Sequence, residues 1–202
     1  MNRNYSLIHR LLLLFLITSC LSCKKFVQIP LPENQVETIT VFSTEQTANA
    51  SVVGLYSQML STNLSISNGA LTIYPGLSAD ELHNSSASTD LDPFYNNAIP
   101  PTNSTGISFR LWTAAYKYIY QANAILEGLN NSTSLSESFK MRLRSEVLLI
   151  RAIWYHYLIN LFGDVPFETT TDYAANAKMP RTPASEIYTQ IIEDLKESYN
   201  NL

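Results

Sequence analysis

Cysteine, glycine and histidine are scarce in this sequence of 202 residues. It contains two cysteines, six glycines and three histidines, and both cysteines lie near the N-terminus, at Cys20 and Cys23. A disulfide within the folded domain is therefore excluded. No GxGxxG, GxxxxGK[ST] or HExxH string occurs, which argues against simple dinucleotide-binding proteins, P-loop proteins and metalloproteases. With 46% hydrophobic residues, the chain nevertheless has a globular composition.

Basic residues are also in deficit. The chain has 13 lysines and arginines against 17 aspartates and glutamates. Removal of residues 1–19 as a signal peptide takes away two arginines and no acidic residue, so 11 basic residues then face 17 acidic ones. Because phosphate binding requires a basic surface, we predict no nucleic-acid partner. A neutral ligand such as a glycan is compatible with this charge.

The N-terminus has the features of a bacterial lipoprotein signal. Arg3 and Arg10 precede an apolar run at residues 11–17. This run is shorter than the roughly 20 residues of a membrane span, but its length suits a secretory signal peptide. Residues 17–20, ITSC, resemble a lipobox, which predicts lipidation of Cys20. Cys23 is the alternative, because a serine also precedes it. The other interpretation is an ordinary signal peptide with two incidental cysteines.

The pattern along the chain divides it into three segments. Residues 1–19 are the predicted lipoprotein signal peptide. Residues 20–42 are predicted as a tether and extended lead-in, because Pro30 and Pro32 disfavour a helix there. Residues 43–202 are predicted as one helical domain.

Apolar residues at helical spacing predict four long helices in that domain. The first predicted helix runs from a capping box at Ser43 and Gln46 to about Ser61, and the second runs from near Ser108 to Gly128–Asn130. The third runs from a capping box at Ser134 and Glu137 to Phe162, before Gly163. The fourth runs from Thr182 and Pro183 to the chain end. Residues 62–106 show neither period and contain turn formers at 74–76 and 92–93. We predict an ordered surface excursion there.

The fold class predicted from these elements is mostly α, with tetratricopeptide-like helical hairpins and long irregular loop excursions. The prediction rests on helix number and length, since no second copy of a 34-residue pattern is visible. The apolar stripe of the last helix runs to the chain end, which suggests a packing partner and a chain that is the front part of a longer protein. The stripe consists of Ile187, Tyr188, Ile191, Ile192, Leu195 and Tyr199.

Polar residues within the predicted helices must find partners, because an unpaired buried charge is costly. We expect Arg151 to form a structural ion pair with Glu146 or Asp164, and His156 to be a hydrogen-bonded core residue. Asn123 is expected to bridge helices. Three aromatic residues on apolar stripes are predicted to belong to the core: Trp112, Tyr116 and Trp154.

Several segments together resemble SusD/RagB-family outer-membrane lipoproteins of Bacteroidetes, in their N-terminal half. The most specific are R-A-x-x-Y-x-x-L-x-x-L-F-G-D-V-P at residues 151–166 and R-T-P at residues 181–183. The resemblance implies a helical, tetratricopeptide-containing protein, lipid-anchored on the surface of the outer membrane. It also implies binding of an oligosaccharide or other nutrient, delivery to a SusC-like TonB-dependent β-barrel transporter, and neither catalysis nor a cofactor. Typical members are more than twice as long as this chain.

The candidate ligand-binding residues lie in the excursion. Aromatic faces stack on sugar rings, and carboxylates and amides bond to hydroxyl groups. The predicted contacts are Asp80, Glu81, Asn84, Asp92, Tyr95 and Asn96. No catalytic residue is predicted, because no second carboxylate pair stands at a recognisable spacing. No metal site is predicted either, because Asp90 and Asp92 lack the spacing of the familiar calcium loop.

Two rival functions remain open from the residues themselves. One is a helical-repeat scaffold that docks on an outer-membrane partner and binds no sugar. The other is an enzyme such as a glycosidase, which would need two carboxyl groups facing each other.

Overall fold

The computed structural model describes residues 38–61, 66–85, 89–100 and 107–202. The predicted signal peptide, both cysteines and most of the lead-in lie outside these residues, so the domain boundaries after residues 19 and 42 stay predictions. The helices are α1 (Thr38–Val41), α2 (Glu45–Leu60), a π-helical turn (Ile66–Ala70), α3 (Leu71–Ser78), α4 (Asp92–Tyr95), α5 (Ile107–Asn131), α6 (Glu137–Phe162), α7 (Tyr173–Asn176) and α8 (Ala184–Asn201). The predicted fold class, mostly α, is confirmed.

The long helices α5, α6 and α8 form consecutive antiparallel hairpins, and α2 packs on α5. The α5–α6 hairpin is centred on Trp154, whose ring stacks on Tyr118 with centroids 5.0 Å apart. Trp154 is 1% exposed, which confirms it as a core residue. Trp112 and Tyr116 are partly buried and pack at the edge of the same core. Helix periodicity therefore identified the buried face, while the degree of burial depends on how the helices cross.

A buried polar network joins three helices. Arg151 on α6 donates two hydrogen bonds of 2.9 Å to the carboxylate of Asp194 on α8. Its third bond, 3.2 Å long, goes to the side-chain oxygen of Asn123 on α5. Asn123 also donates to the carbonyl oxygen of Glu168, at 2.9 Å. The prediction that Asn123 bridges helices is thus confirmed.

The predicted partners of Arg151 were wrong. Glu146 pairs with Arg142 on the exposed side of α6, at 2.8 Å. Asp164 instead accepts a 2.9 Å bond from the backbone N–H of Ala184 at the start of α8. Asp194 reaches the guanidinium because α8 runs antiparallel beside α6.

The prediction for His156 was also wrong, because this residue is exposed and not part of the core. Its ring lies near that of Tyr188 on α8, with centroids 6.2 Å apart. Helix α6 is therefore exposed on this side, near the start of α8.

Three predicted helix starts moved by one or two residues. At α8, Pro183 rather than Thr182 is the N-cap residue, and the helix begins at Ala184. Thr44, not Ser43, caps α2, because its hydroxyl accepts a bond from the N–H of Thr47 while Ser43 donates to the carbonyl of Thr40. Ser136, not Ser134, precedes α6, and its hydroxyl donates to Glu45 at 2.9 Å. Helix α1 thus offers the Ser43 hydroxyl a competing partner, whereas the Ser136 hydroxyl bonds to α2 rather than to the backbone of α6.

The excursion contains more helix than predicted. Residues 74–76, predicted as a turn, lie inside α3, where Tyr74 and Leu77 are buried. The chain turns earlier, at Asn68 and Gly69, and Gly69 has the positive φ of 97° that favours glycine. Pro75 costs α3 one backbone donor, and burial of its neighbours against the core offsets that loss.

Two segments of the sequence motif, residues 163–166 after α6 and residues 181–183 before α8, contact each other. Val165 and Thr182 form an antiparallel bridge, and Arg181 donates to the carbonyl of Asp164. The Arg181 guanidinium also lies over the Trp112 ring, 5.5 Å from its centroid. These residues hold the end of α6 against the start of α8, so the most specific part of the sequence pattern is structural.

Replacing Gly128 with alanine is expected to destabilise the fold by about 1–3 kcal/mol, because the new Cβ would overlap the Phe42 ring in a packed core. Gly54 provides the matched control, since a Cβ there meets nothing within 4 Å. Alanine at Gly54 should leave stability unchanged or raise it by up to about 1 kcal/mol through helix propensity. Urea denaturation measures both, and equal effects would contradict the contact between Phe42 and α5.

Candidate functional site

The candidate site is the outer surface of the excursion, formed by residues 79–85 and 91–97, here called the excursion surface. Helix α3 holds this surface in place, because the Ser78 hydroxyl at the end of α3 donates a 3.1 Å bond to the carbonyl of Phe94 in α4. The Phe94 ring packs against Tyr74 with centroids 4.9 Å apart. Helix α4 therefore lies fixed against α3 and the core, and the residues flanking both helices face outward.

Two side-chain pairs connect the two halves of the excursion surface. The amide nitrogen of Asn84 donates to the carboxylate of Asp92, at 2.8 Å. His83 Nδ1 and the Tyr95 hydroxyl share a hydrogen bond of 2.8 Å, and the two rings meet edge to face with centroids 5.0 Å apart. Each pair joins the loop after α3 to α4, so their side chains are held before any ligand arrives.

Three of the predicted site residues are brought together by these pairs, namely Asn84, Asp92 and Tyr95. The other three, Asp80, Glu81 and Asn96, are exposed on the flanks of the same surface. Asp80 has a φ of 59°, and the chain after it folds back on α3, where the N–H of Leu82 bonds to the carbonyl of Gly76 at 3.0 Å. The structure thus brings three of the six predicted residues into side-chain pairs and exposes the other three nearby in the chain, while contact of any of them with a ligand stays a prediction.

Sequence reasoning missed His83 as a member of the site. Its role depends on the contact with Tyr95, twelve residues further on, which no local spacing indicates. The available signal was weak: His83 is the only histidine of the excursion and stands directly before Asn84.

The arrangement is suited to hydrogen bonding. A carboxylate and an amide fixed beside an aromatic ring can bond sugar hydroxyl groups and contact a ring face. Glycoside hydrolysis requires two carboxyl groups facing each other across the bond. Asp92 faces the amide of Asn84 instead, so the described contacts fit binding rather than acid and base catalysis. Among the described residues, no group of three His, Cys, Asp or Glu side chains could hold a metal.

Comparison with known families places this surface in context. The SusD-like family model, described as "Starch-binding associating with outer membrane", matches residues 31–202. The chain belongs to the SusD-like family. The expectation from the motifs at residues 151–166 and 181–183 is thereby confirmed.

Individual SusD-like proteins match most of the chain. SusD-like protein P25 of Formosa agariphila is 29% identical over 188 residues, which are 90% of this chain and 35% of P25. A solved laminarin-binding SusD-like protein is 28% identical, with a TM-score of 0.64, over 79% of this chain and 34% of its own. A SusD superfamily protein from Bacteroides vulgatus shares the fold at 21% identity, with a TM-score of 0.68 over 79% of this chain and 34% of its own.

The chain therefore spans about a third of the length of these SusD-like relatives. In the part of the chain that the structure describes, no helix has both the length and the apolar character that crossing a membrane requires.

Proposed function

We propose that the excursion surface binds a glycan and that the protein passes it to a SusC-like TonB-dependent β-barrel transporter. A lipid on Cys20, or alternatively Cys23, would anchor the protein at the outer membrane, exposed on the cell surface. The observation that carries this proposal is the pair of fixed contacts, Asn84 with Asp92 and His83 with Tyr95, on an exposed surface of a SusD-like chain. The laminarin-binding relative supports the choice of a glycan.

The fixed pairs favour binding energetically. Each side chain that is already ordered loses less conformational entropy when a ligand arrives. Asp92 is half-buried, so a hydrogen bond between its carboxylate and a sugar hydroxyl is less exposed to competing water than one on the open flanks. We therefore expect Asn84 and Asp92 to contribute more than Asp80, Glu81 and Asn96.

Replacing Asp92 with alanine is expected to weaken glycan binding about tenfold or more, which corresponds to about 1.4 kcal/mol. Asn84→Ala should have a similar effect, because either change breaks the same contact. Affinity electrophoresis in gels containing laminarin or starch identifies the glycan, and calorimetry then measures the dissociation constants. Asn200→Ala, an exposed asparagine on α8, is the matched control.

The outcome that would overturn the proposal is retention of full affinity by both excursion variants, or absence of binding across a panel of neutral polysaccharides. Release of reducing sugar from a bound polysaccharide would instead favour an enzyme. Neither variant should alter thermal stability strongly, since both residues lie outside the main helical core.

A specific observation favours a second candidate, a scaffold that docks on an outer-membrane partner without binding sugar. Helix α8 leaves large apolar side chains exposed, including Ile192 at 50% and Tyr199 at 86%. Exposed apolar patches often mark interaction sites. A partner captured equally well by wild type and by Asp92→Ala, with no glycan bound by either, would favour this candidate.

A further inference from the structure

A cavity of about 590 Å³ opens between α3, α4 and the C-terminal end of α6. This volume lies within the range of small-molecule sites, roughly 300–1,000 Å³. Its principal walls are Leu71, Tyr74, Ala79, Phe94, Leu161 and Phe162. Tyr74 and Phe94 already pack against each other there, and Phe162 meets the Trp112 ring edge to face, at 5.2 Å between centroids. The cavity is thus backed by fixed aromatic rings.

The walls of the cavity have few groups that could form hydrogen bonds with a polar ligand. None of the described residues that line the cavity carries a charge. The Ser78 hydroxyl donates to the Phe94 carbonyl. The Asn160 amide nitrogen donates to the carbonyl of His156, at 2.7 Å, and to the hydroxyl of Tyr188, at 3.0 Å. A sugar bound here would find few hydrogen-bond partners in place of water, which is costly.

We propose that this cavity is a second binding site, which takes a neutral, mostly apolar small molecule of one or two rings. Burial of apolar surface and contacts with the aromatic walls drive its binding. The cavity adjoins the excursion surface but does not include its paired side chains: Phe94 lines the cavity, whereas Tyr95 bonds to His83. The inference does not depend on glycan binding.

The probe that tests this site is 6-propionyl-2-(dimethylamino)naphthalene, a neutral dye of two fused rings whose emission shifts to the blue in apolar surroundings. It is titrated into the full chain. Ala79 is exposed at the edge of the cavity, so Ala79→Trp would fill the entrance. Ala174→Trp, on the exposed face of α7, is the matched control. We expect saturable binding at one site, weakened at least tenfold by Ala79→Trp and unchanged by Ala174→Trp.

The bare face of α8 is the competing location for an apolar dye, and Ile192→Lys reports on it. Loss of dye binding in Ile192→Lys together with retention in Ala79→Trp would overturn the proposal, as would the absence of saturable binding to wild type. Circular dichroism checks that the variants fold. If Ala79→Trp does not fold, Leu161→Trp blocks the cavity from the α6 side. Glycan affinity, measured on the same samples, should be unchanged in Leu161→Trp, Ala174→Trp and Ile192→Lys, so the test of glycan binding is independent of the test of dye binding.

Discussion

Replacing Arg151 with methionine is expected to lower the free energy of unfolding by about 3–5 kcal/mol. The guanidinium is bonded twice to Asp194 and once to Asn123, and Arg151 and Asp194 are each 9% exposed. Removing the cation leaves the Asp194 carboxylate buried beside a methionine side chain. The cost of that uncompensated charge, more than the lost attraction, makes the effect large.

Two comparisons separate this effect from a general loss of side-chain packing. Arg142→Met removes an ion pair whose arginine side chain is 48% exposed, and should cost about 1 kcal/mol or less. The double variant Arg151→Met with Asp194→Leu removes both charges and should recover most of the stability. Urea denaturation at constant m-value measures all three. Equal losses in Arg142→Met and Arg151→Met would contradict a buried pair.

The same ion pair shows how far the sequence could predict the fold. Helix periodicity located α2, α5, α6 and α8 within a few residues, because each repeats its apolar side chains along one face. Periodicity says nothing about the register between two helices that are distant in sequence. Arg151 and Asp194 are 43 positions apart, and only the antiparallel packing of α6 and α8 brings them together. The predicted partner Glu146, five residues away, reflects this reliance on local spacing.

The candidate site was predictable only in part for a related reason. Residue types typical of glycan binding selected the excursion and, within it, Asn84, Asp92 and Tyr95. Their pairing depends on α3, which the Pro75-Gly76 pair concealed because proline and glycine usually mark a turn. The contact of His83 with Tyr95 follows from how α3 and α4 pack, and that geometry has no signature in the local sequence.

Neighbouring isoleucines on α8 are expected to respond to the same substitution in opposite ways. Ile191 is 5% exposed and faces α6, whereas Ile192 is 50% exposed. Ile191→Lys should destabilise the protein by several kcal/mol or prevent folding, because the ammonium group would be buried without a partner. Ile192→Lys should leave the midpoint of thermal unfolding nearly unchanged. Circular dichroism melts of the two variants measure the difference.

Ile192→Lys also tests whether the exposed apolar stripe of α8 mediates self-association. Exposed residues 188, 192, 195, 199 and 202 follow the alternating four and three spacing that lets helices pack side by side. An exposed apolar stripe of this kind promotes association, so sedimentation velocity of wild type should show oligomers whose amount rises with concentration. Ile192→Lys should lower the association constant about tenfold or more. Because Ile192 is exposed on α8 and is not part of the excursion surface, glycan affinity should not change. Unaltered self-association would mean that this stripe is not a contact surface, and the scaffold candidate would lose the observation that favours it.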